Sequence, residues 1–266
     1  MATISEEPLK LLPAPDFDTV QLLGVSVANV TPLEVIAQVR RFLQENGLHH
    51  IAVVNTNKFW LAYHVPGVMD VLQRAEMIIS EYGGVWAAKL LGTPLKANVR
   101  GVGLFLSLIP KLEGWQESVY FLGGREEVLE LLVQNVRRDF PHLQIAGARN
   151  GFFDALEEES IVADINASGA KALFVAMGSP RQEFFIERHR EALKVKVALG
   201  VGGSFDVLAG IKSDAPTWSH CGIEWLYRLW LDPKNLLKRY LRVHPWFVWH
   251  TLRMYHGRRK SDLPTE

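Results

Sequence analysis

The chain has 266 residues, 48% of them hydrophobic and 22% charged, and a formal net charge of zero. That composition suits a folded globular protein rather than a disordered one, and its bulk charge points to neither nucleic acid nor an acidic partner. The single cysteine, Cys221, excludes an internal disulfide and a thiolate metal cluster, and is compatible with a reducing cytoplasm.

Residues 1–18, ending in "PAPDFD", read as a loose polar arm. They lack a basic region followed by an apolar core, so no secretory signal is expected. No run approaches the roughly 20 apolar residues of a spanning helix. From there short apolar runs alternate with helical periodicity. "HIAVVN", His50 to Asn55, predicts a strand, and "KFWLAYHV" a helix. Pro66 permits a second helix, "GVMDVLQRA", before the short strand "EMIIS". "SVYFLGG" (Ser118 to Gly124) predicts a strand, "REEVLELLVQNVRRDF" an amphipathic helix and "LQIAGA" another strand. Lys171 to Gly178 is a further strand, and the helix after it opens on Arg181, Gln182 and Glu183. "VKVALGVGGSFDVLAG" supplies a strand, a Gly202-Gly203 turn and a short helix.

Strands alternating with helices over residues 19–210 predict an α/β fold: a Rossmann-like, mostly parallel sheet with helices on both faces. Residues 211–266 have a different texture. Five of the eight tryptophans lie there (Trp218, Trp225, Trp230, Trp246 and Trp249), and from Lys234 to Lys260 there are eight basic residues and no acidic one. This stretch reads as a C-terminal helical appendage of two or three short helices, broken near Pro233 and Pro245.

Parallel sheets bind ligands beyond the carboxyl ends of their strands, and polar, glycine-rich turns gather at those ends. They are Asn55-Thr56-Asn57, Glu81-Tyr82-Gly83-Gly84, Gly123-Gly124-Arg125, Gly178 to Gln182 and Gly202-Gly203-Ser204. None is a phosphate loop or a dinucleotide fingerprint, so neither a nicotinamide cofactor nor any other is expected. One such turn is simply a tight connection. Several converging on one edge suit a nucleotide diphosphate, because helix starts offer free N–H groups and a favourable dipole.

Each candidate has a plainer role beside its chemical one. Asn55 and Asn57 suit either a sugar or base contact or turn formation. Gln182 faces the crevice or caps its helix. Glu81 is a general base for a sugar hydroxyl, or a cap or surface charge. Arg181 is expected to be solvated. Asp16-x-Asp18 resembles the metal-binding pair of some sugar-nucleotide transferases, but it precedes the sheet. His49, His50, His64, His220 and His244 show no metal spacing, so no metal site is expected.

In this order the motifs resemble the WecG/TagA/CpsF glycosyltransferases (glycosyltransferase family 26) over roughly Leu22 to Leu241. "VAMGSPRQEFFI" is similar to the family's strand, Gly-x-Pro-x-Gln-Glu turn and helix. "VGVGGSFDVLAGIKSDAP" is similar to its Val-Gly-Gly-x-Phe-Asp segment ending in Ala-Pro, and "GIEWLYRLWLDPKNLLKRYL" to its Gly-Leu-Glu-Trp-x-x-Arg segment. The resemblance implies transfer of a hexose or N-acetylhexosamine-type sugar from a UDP-sugar to a sugar on a polyprenyl diphosphate, with inversion and without a metal. It implies substrate contacts at Asn55 and Gln182, a nucleotide pocket shaped by Gly178, Gly202 and Gly203, and Arg228 on the leaving diphosphate. Arg228 also suits an ion pair with Glu224.

Four positions depart from the family pattern. Glu81-Tyr82 replaces Asp-Gly, and Val53 replaces a Thr. Asn98 replaces an Arg, for which Arg100 two residues on can substitute, and Ser213-Asp214 replaces Lys-Arg. These changes keep open a second class, a catalytically impaired sugar-nucleotide-binding partner subunit. The basic, Trp-rich tail suits either an anionic membrane surface or packing on the core. The expected setting is cytoplasmic and peripheral, on the inner face of the membrane, with self-association plausible.

Overall fold

The computed structural model describes residues 17–214, Pro216 and residues 224–261. Most of the N-terminal arm, including Asp16, lies outside the described residues, as do Trp218, His220 and Cys221. The chain opens on a hairpin, β1 (Thr19–Leu22) and β2 (Val25–Ala28), and then α1 (Pro32–Phe42). There follow β3 (His49–Val54), α2 (Thr56–His64), α3 (Val68–Gln73), β4 (Met77–Ser80), α4 (Tyr82–Leu90) and α5 (Gly101–Gly114). The second half continues with β5 (Val119–Gly123), α6 (Glu126–Asp139), β6 (Ile145–Arg149), α7 (Glu158–Ser168), β7 (Ala172–Ala176) and α8 (Arg181–Arg188). It ends in β8 (Val197–Gly200), α9 (Ser204–Leu208), α10 (Glu224–Leu231) and α11 (Pro233–Ser261).

β3 to β8 form one six-stranded sheet in the order β4-β3-β8-β7-β5-β6. Every pairing in it is parallel. Because successive side chains on a strand alternate faces, Ile51, Val53, Phe121, Phe174 and Leu199 face one layer, made by α1, α5, α6 and α9. Ala52, Val54 and Ile78 face the other, under α2, α3 and α4. Leu173, Val175 and Ala198 extend that second layer beneath α7 and α8. The α/β class is therefore as expected. The β1–β2 hairpin and α1, α4, α5 and α7 are additions to the elements expected from the sequence, although α1 carries a legible start signal. Thr31 caps the N–H of Glu34 while Glu34 Oε2 accepts from the Thr31 N–H.

The carboxyl-terminal region corrects the expected break at Pro245. α11 runs unbroken for 29 residues with Pro245 inside it. An interior proline loses a helix hydrogen bond and clashes with the preceding turn, at a cost of about 3 kcal/mol. Burial of Val243, Phe247 and Thr251 on either side of it offsets that cost. Phe247 sits 5.6 Å from the Phe59 ring of α2 and 6.2 Å from Trp86 of α4, centroid to centroid. Pro233, by contrast, opens α11, where a missing N–H costs nothing.

On the second layer, the His50 ring is fully buried, and neither nitrogen has a hydrogen-bond partner among the described residues. Burial pushes its pKa down to about 3, with Glu183 opposing and Arg190 and Lys58 reinforcing the shift. The folded protein therefore keeps His50 neutral at pH values where the unfolded chain protonates it. Stability is lost as pH falls below about 6.5, at up to about 1.4 kcal/mol per pH unit. His50→Leu is expected to flatten the fall in Tm between pH 6.5 and pH 4; parallel curves for the two proteins would refute this.

Candidate active site

The register of the parallel sheet brings the predicted turns to one edge. Val54 lies beside Ser80, so the residues that follow, Asn55 and Glu81, emerge side by side. On the other flank of β3, β8 pairs with it and with β7, which sets the Gly202 turn between Asn55 and the Gly178 turn. α2 leaves β3 over the second layer, whereas α9 leaves β8 over the first. A crevice opens where neighbouring strands send their helices to opposite faces.

Glu81 occupies the N-cap position of α4, yet its side chain makes no capping hydrogen bond there. Its carboxylate reaches sideways instead. Oε2 accepts from Asn55 Nδ2 at 3.1 Å, and Oε1 accepts from the Gly101 N–H at 3.1 Å. Asn55 in turn caps α2, its Oδ1 accepting from the Lys58 N–H at 3.1 Å. The same amide thus forms the turn, one of the two roles expected of it, and also holds the Glu81 carboxylate, a contact the sequence did not suggest. The Gly101 N–H belongs to the first turn of α5, where a negative charge is favoured. Asn57 stands half-buried in the first turn of α2.

Beside Glu81 lies an alternating row of charges. Arg100, the N-cap of α5, forms a fork with Asp214: Nη1 donates to Oδ2 at 3.1 Å, and Nη2 donates to Oδ1. Its Nε donates to Glu224 Oε2 at 2.9 Å. Glu224 Oε1 accepts from Arg228 Nε and Nη2 at 2.8 and 2.6 Å. The expected Arg228–Glu224 pair is present, and Glu224 is shared with Arg100. Burial disfavours the Arg100 charge, but Asp214 and Glu224 outweigh it and hold its pKa above the ordinary value. Asp214, noted in the sequence only as a departure, is a partner of the displaced arginine.

The opposite rim is built of glycine turns. Gly178 has φ +76° and Gly202 φ +51°, a left-handed backbone that favours glycine, and a Cβ at either would meet open space. Gly203 is the N-cap of α9. Gln182 is nearly fully buried. Its Oε1 accepts from the Gly202 N–H at 3.2 Å, and its Nε2 donates to Glu183 Oε1 at 2.8 Å. Gln182 therefore ties two turns together rather than lying open to the crevice. Arg181 is not simply solvated. It donates to the carbonyls of Gly151 and Phe153 at 2.7 Å each, with its guanidinium 4.5 Å from the Phe153 ring.

Sequence reasoning missed Lys58, Glu183 and Gly101. Asn55-x-x-Lys58 is a cap pattern that marked the first, and the Gln-Glu pair the second. Nothing local marked Gly101, because its partner lies 20 residues away.

A parallel sheet whose neighbouring strands send helices to opposite faces, with a carboxylate and glycine turns at their carboxyl ends, is the arrangement in which α/β proteins commonly bind ligands. The family model for "Glycosyl transferase WecG/TagA/CpsF family" matches residues 20–261, and the chain belongs to that family. It is 36% identical over 195 residues to the N-acetylglucosaminyldiphosphoundecaprenol N-acetyl-beta-D-mannosaminyltransferase of Bacillus spizizenii, covering 72% of this chain and 75% of that protein. It is 29% identical over 221 residues to the protein of the same name from Staphylococcus aureus, covering 82% and 86% of the two chains.

Asn55→Asp tests the Asn55–Glu81 contact. Aspartate caps a helix as well as asparagine does, but here it sets two carboxylates against each other and raises their pKa values in the folded state. The folded protein then binds more protons than the unfolded chain, so stability is lost as pH rises. The variant is expected to match wild type near pH 4 and to fall about 1–3 kcal/mol below it at pH 8. A difference in Tm that does not change with pH would show that the two side chains are apart.

Proposed function

We propose that the chain is an inverting glycosyltransferase that needs no metal ion and moves a hexose or N-acetylhexosamine-type sugar from a UDP-sugar to a sugar carried on a polyprenyl diphosphate. The observation that carries this reading is the Glu81 carboxylate, which does not cap its own helix and is held by Asn55 and the Gly101 N–H at the carboxyl edge of the sheet. Such a carboxylate, with one hydrogen bond on each oxygen, keeps lone pairs for an acceptor hydroxyl. The relatives' names support both the aminosugar and the lipid-diphosphate acceptor.

In this scheme the acceptor oxygen attacks the anomeric carbon from the side opposite the diphosphate. The new C–O bond forms as the bond to the diphosphate oxygen breaks, and configuration inverts. Glu81 takes the hydroxyl proton, and UDP leaves with the bonding electron pair. Negative charge grows on the β-phosphate, and in this reading Arg100 and Arg228 meet it by exchanging their carboxylate partners for phosphate oxygens; their shared position around Glu224 supports this. Gly178, Gly202 and Gly203 shape the nucleotide pocket, and Asn57 lies within the first turn after Asn55.

Residues 19–210 form the transferase core in this reading, and residues 211–266 close it and bring it to the inner face of the cytoplasmic membrane. No helix among the described residues is long and apolar enough to cross a membrane. α11 divides its residues between two faces. Val243, Phe247 and Thr251 face the core, while Leu237, Leu241, Val248 and Leu252 form an exposed stripe at helical spacing. Trp249 is 55% exposed beside that stripe, and Lys234, Lys238 and Arg253 are exposed along α11. Apolar groups between cations suit a helix lying in an anionic headgroup layer. A second copy of the chain is the alternative cover for the same stripe.

Glu81→Gln is expected to lower turnover by at least about 100-fold while UDP still binds. UDP release from a panel of UDP-sugars with a lipid-linked acceptor measures the first, and calorimetry the second. Unchanged turnover would show that Glu81 is not the base. Binding without turnover by the wild-type chain across the panel would favour the partner-subunit reading. For the membrane, Leu241→Ser/Trp249→Ser/Leu252→Ser spares the buried face of α11. It is expected to abolish sedimentation with anionic liposomes, and equal sedimentation of the two proteins would refute the membrane role.

A further inference from the structure

Below the crevice rim lies an ion pair that the transfer chemistry does not touch. Lys58, in the first turn of α2, and Glu183, in the first turn of α8, meet with Nζ and Oε1 2.5 Å apart. Their side chains are only 6% and 2% exposed. α2 follows β3 and α8 follows β7, and β8 runs between those two strands. The pair therefore bridges across the middle strand, beneath the mouth of the crevice. Burial works to raise the Glu183 pKa, but the charge and hydrogen bond of Lys58 and the hydrogen bond of Gln182 outweigh it and leave the carboxyl below its usual range.

Connections run outward from this pair to each rim turn. The same Glu183 oxygen accepts from Ser179 Oγ at 3.1 Å and from Gln182 Nε2 at 2.8 Å. Gln182 Oε1 then accepts from the Gly202 N–H at 3.2 Å. It lies in space that Gly200 leaves empty, and a methyl group there would overlap Gln182 Nε2. On the other side, the Lys58 N–H holds Asn55 Oδ1, and Asn55 Nδ2 holds Glu81.

A buried ion pair is a poor device for stability, because desolvation consumes most of its attraction. Apolar residues of similar volume are often neutral or stabilising in its place. They would, however, offer no acceptor to Ser179 and Gln182. We propose that Lys58 and Glu183 are positioning residues for the transferase site. Their pair sets the spacing between the first turns of α2 and α8, and through Gln182 and Asn55 it keeps the Gly202 turn and the Glu81 carboxylate in register. The inference rests on the function proposed above for that site.

The test uses the full chain with the paired substitution Lys58→Met/Glu183→Leu, and Gly200→Ala as a second variant that leaves the pair but displaces Gln182. Thermal unfolding, amide hydrogen exchange and steady-state UDP release are measured on each. The paired variant is expected to melt at or above the wild-type temperature. Its amide exchange should rise about ten-fold in the peptides containing Lys58 and Gly202. Its kcat should fall about 10- to 100-fold, with a smaller rise in donor KM. Gly200→Ala should reproduce the faster exchange at Gly202, and it carries the test if the paired variant does not fold. A lower melting temperature with unchanged exchange in the two turns and unchanged kcat would mark the pair as merely structural and overturn the proposal. If the wild-type chain releases no UDP from any donor, the proposed function fails, and the exchange measurements still decide whether the pair positions the turns.

Discussion

Parallel pairing of β3 with β4 on one side and β8 on the other is the constraint from which the candidate site follows. In a parallel ladder all carboxyl ends share one edge, so turns far apart in sequence become neighbours without any loop having to reach. Asn55 and Glu81 come together because Val54 and Ser80 are already paired. The hydrogen bond between their side chains is a consequence of register, and a one-residue slip would send the two side chains to opposite faces.

Charge is arranged differently at the rim and beneath it. At the rim, Arg100 and Arg228 share Glu224, and Arg100 also holds Asp214. These groups are partly exposed, Arg100 the least so, and in the proposed reading an incoming anion replaces their carboxylate partners. Below the rim, Lys58 and Glu183 are shut away from water, and neither can lose its partner without stranding a buried charge. The first arrangement suits groups that must respond to a ligand. The second suits a framework that must not move.

α11 has one face for each of the two readings of the basic, Trp-rich tail. The residues predicted to lie in a membrane interface or on the core are divided by helical angle: Phe247 packs among Phe59 and Trp86, while Trp249 stays outside. Arg242 also covers Trp60 of α2, its guanidinium 4.4 Å from the ring. A helix attached in this way holds its outer stripe in fixed relation to the crevice.

Much of this protein was legible in the amino-acid order alone. Strand–turn–helix alternation and the glycine turns depend on local periodicity and backbone preference, which act over a few residues, and they specified the α/β class and the edge on which to look. The Asp-to-Glu and Lys-Arg-to-Ser-Asp departures were equally visible. Their meaning was not, because the Arg100–Asp214 fork joins residues 114 positions apart and the Lys58–Glu183 pair joins residues 125 apart. Only the folded sheet decided that Glu81 leaves its own helix uncapped, that Gln182 is a buried brace, and that α11 continues through Pro245. Each of these outcomes is set by hydrogen bonding or packing with a partner distant in sequence, and local pattern carries no information about that partner.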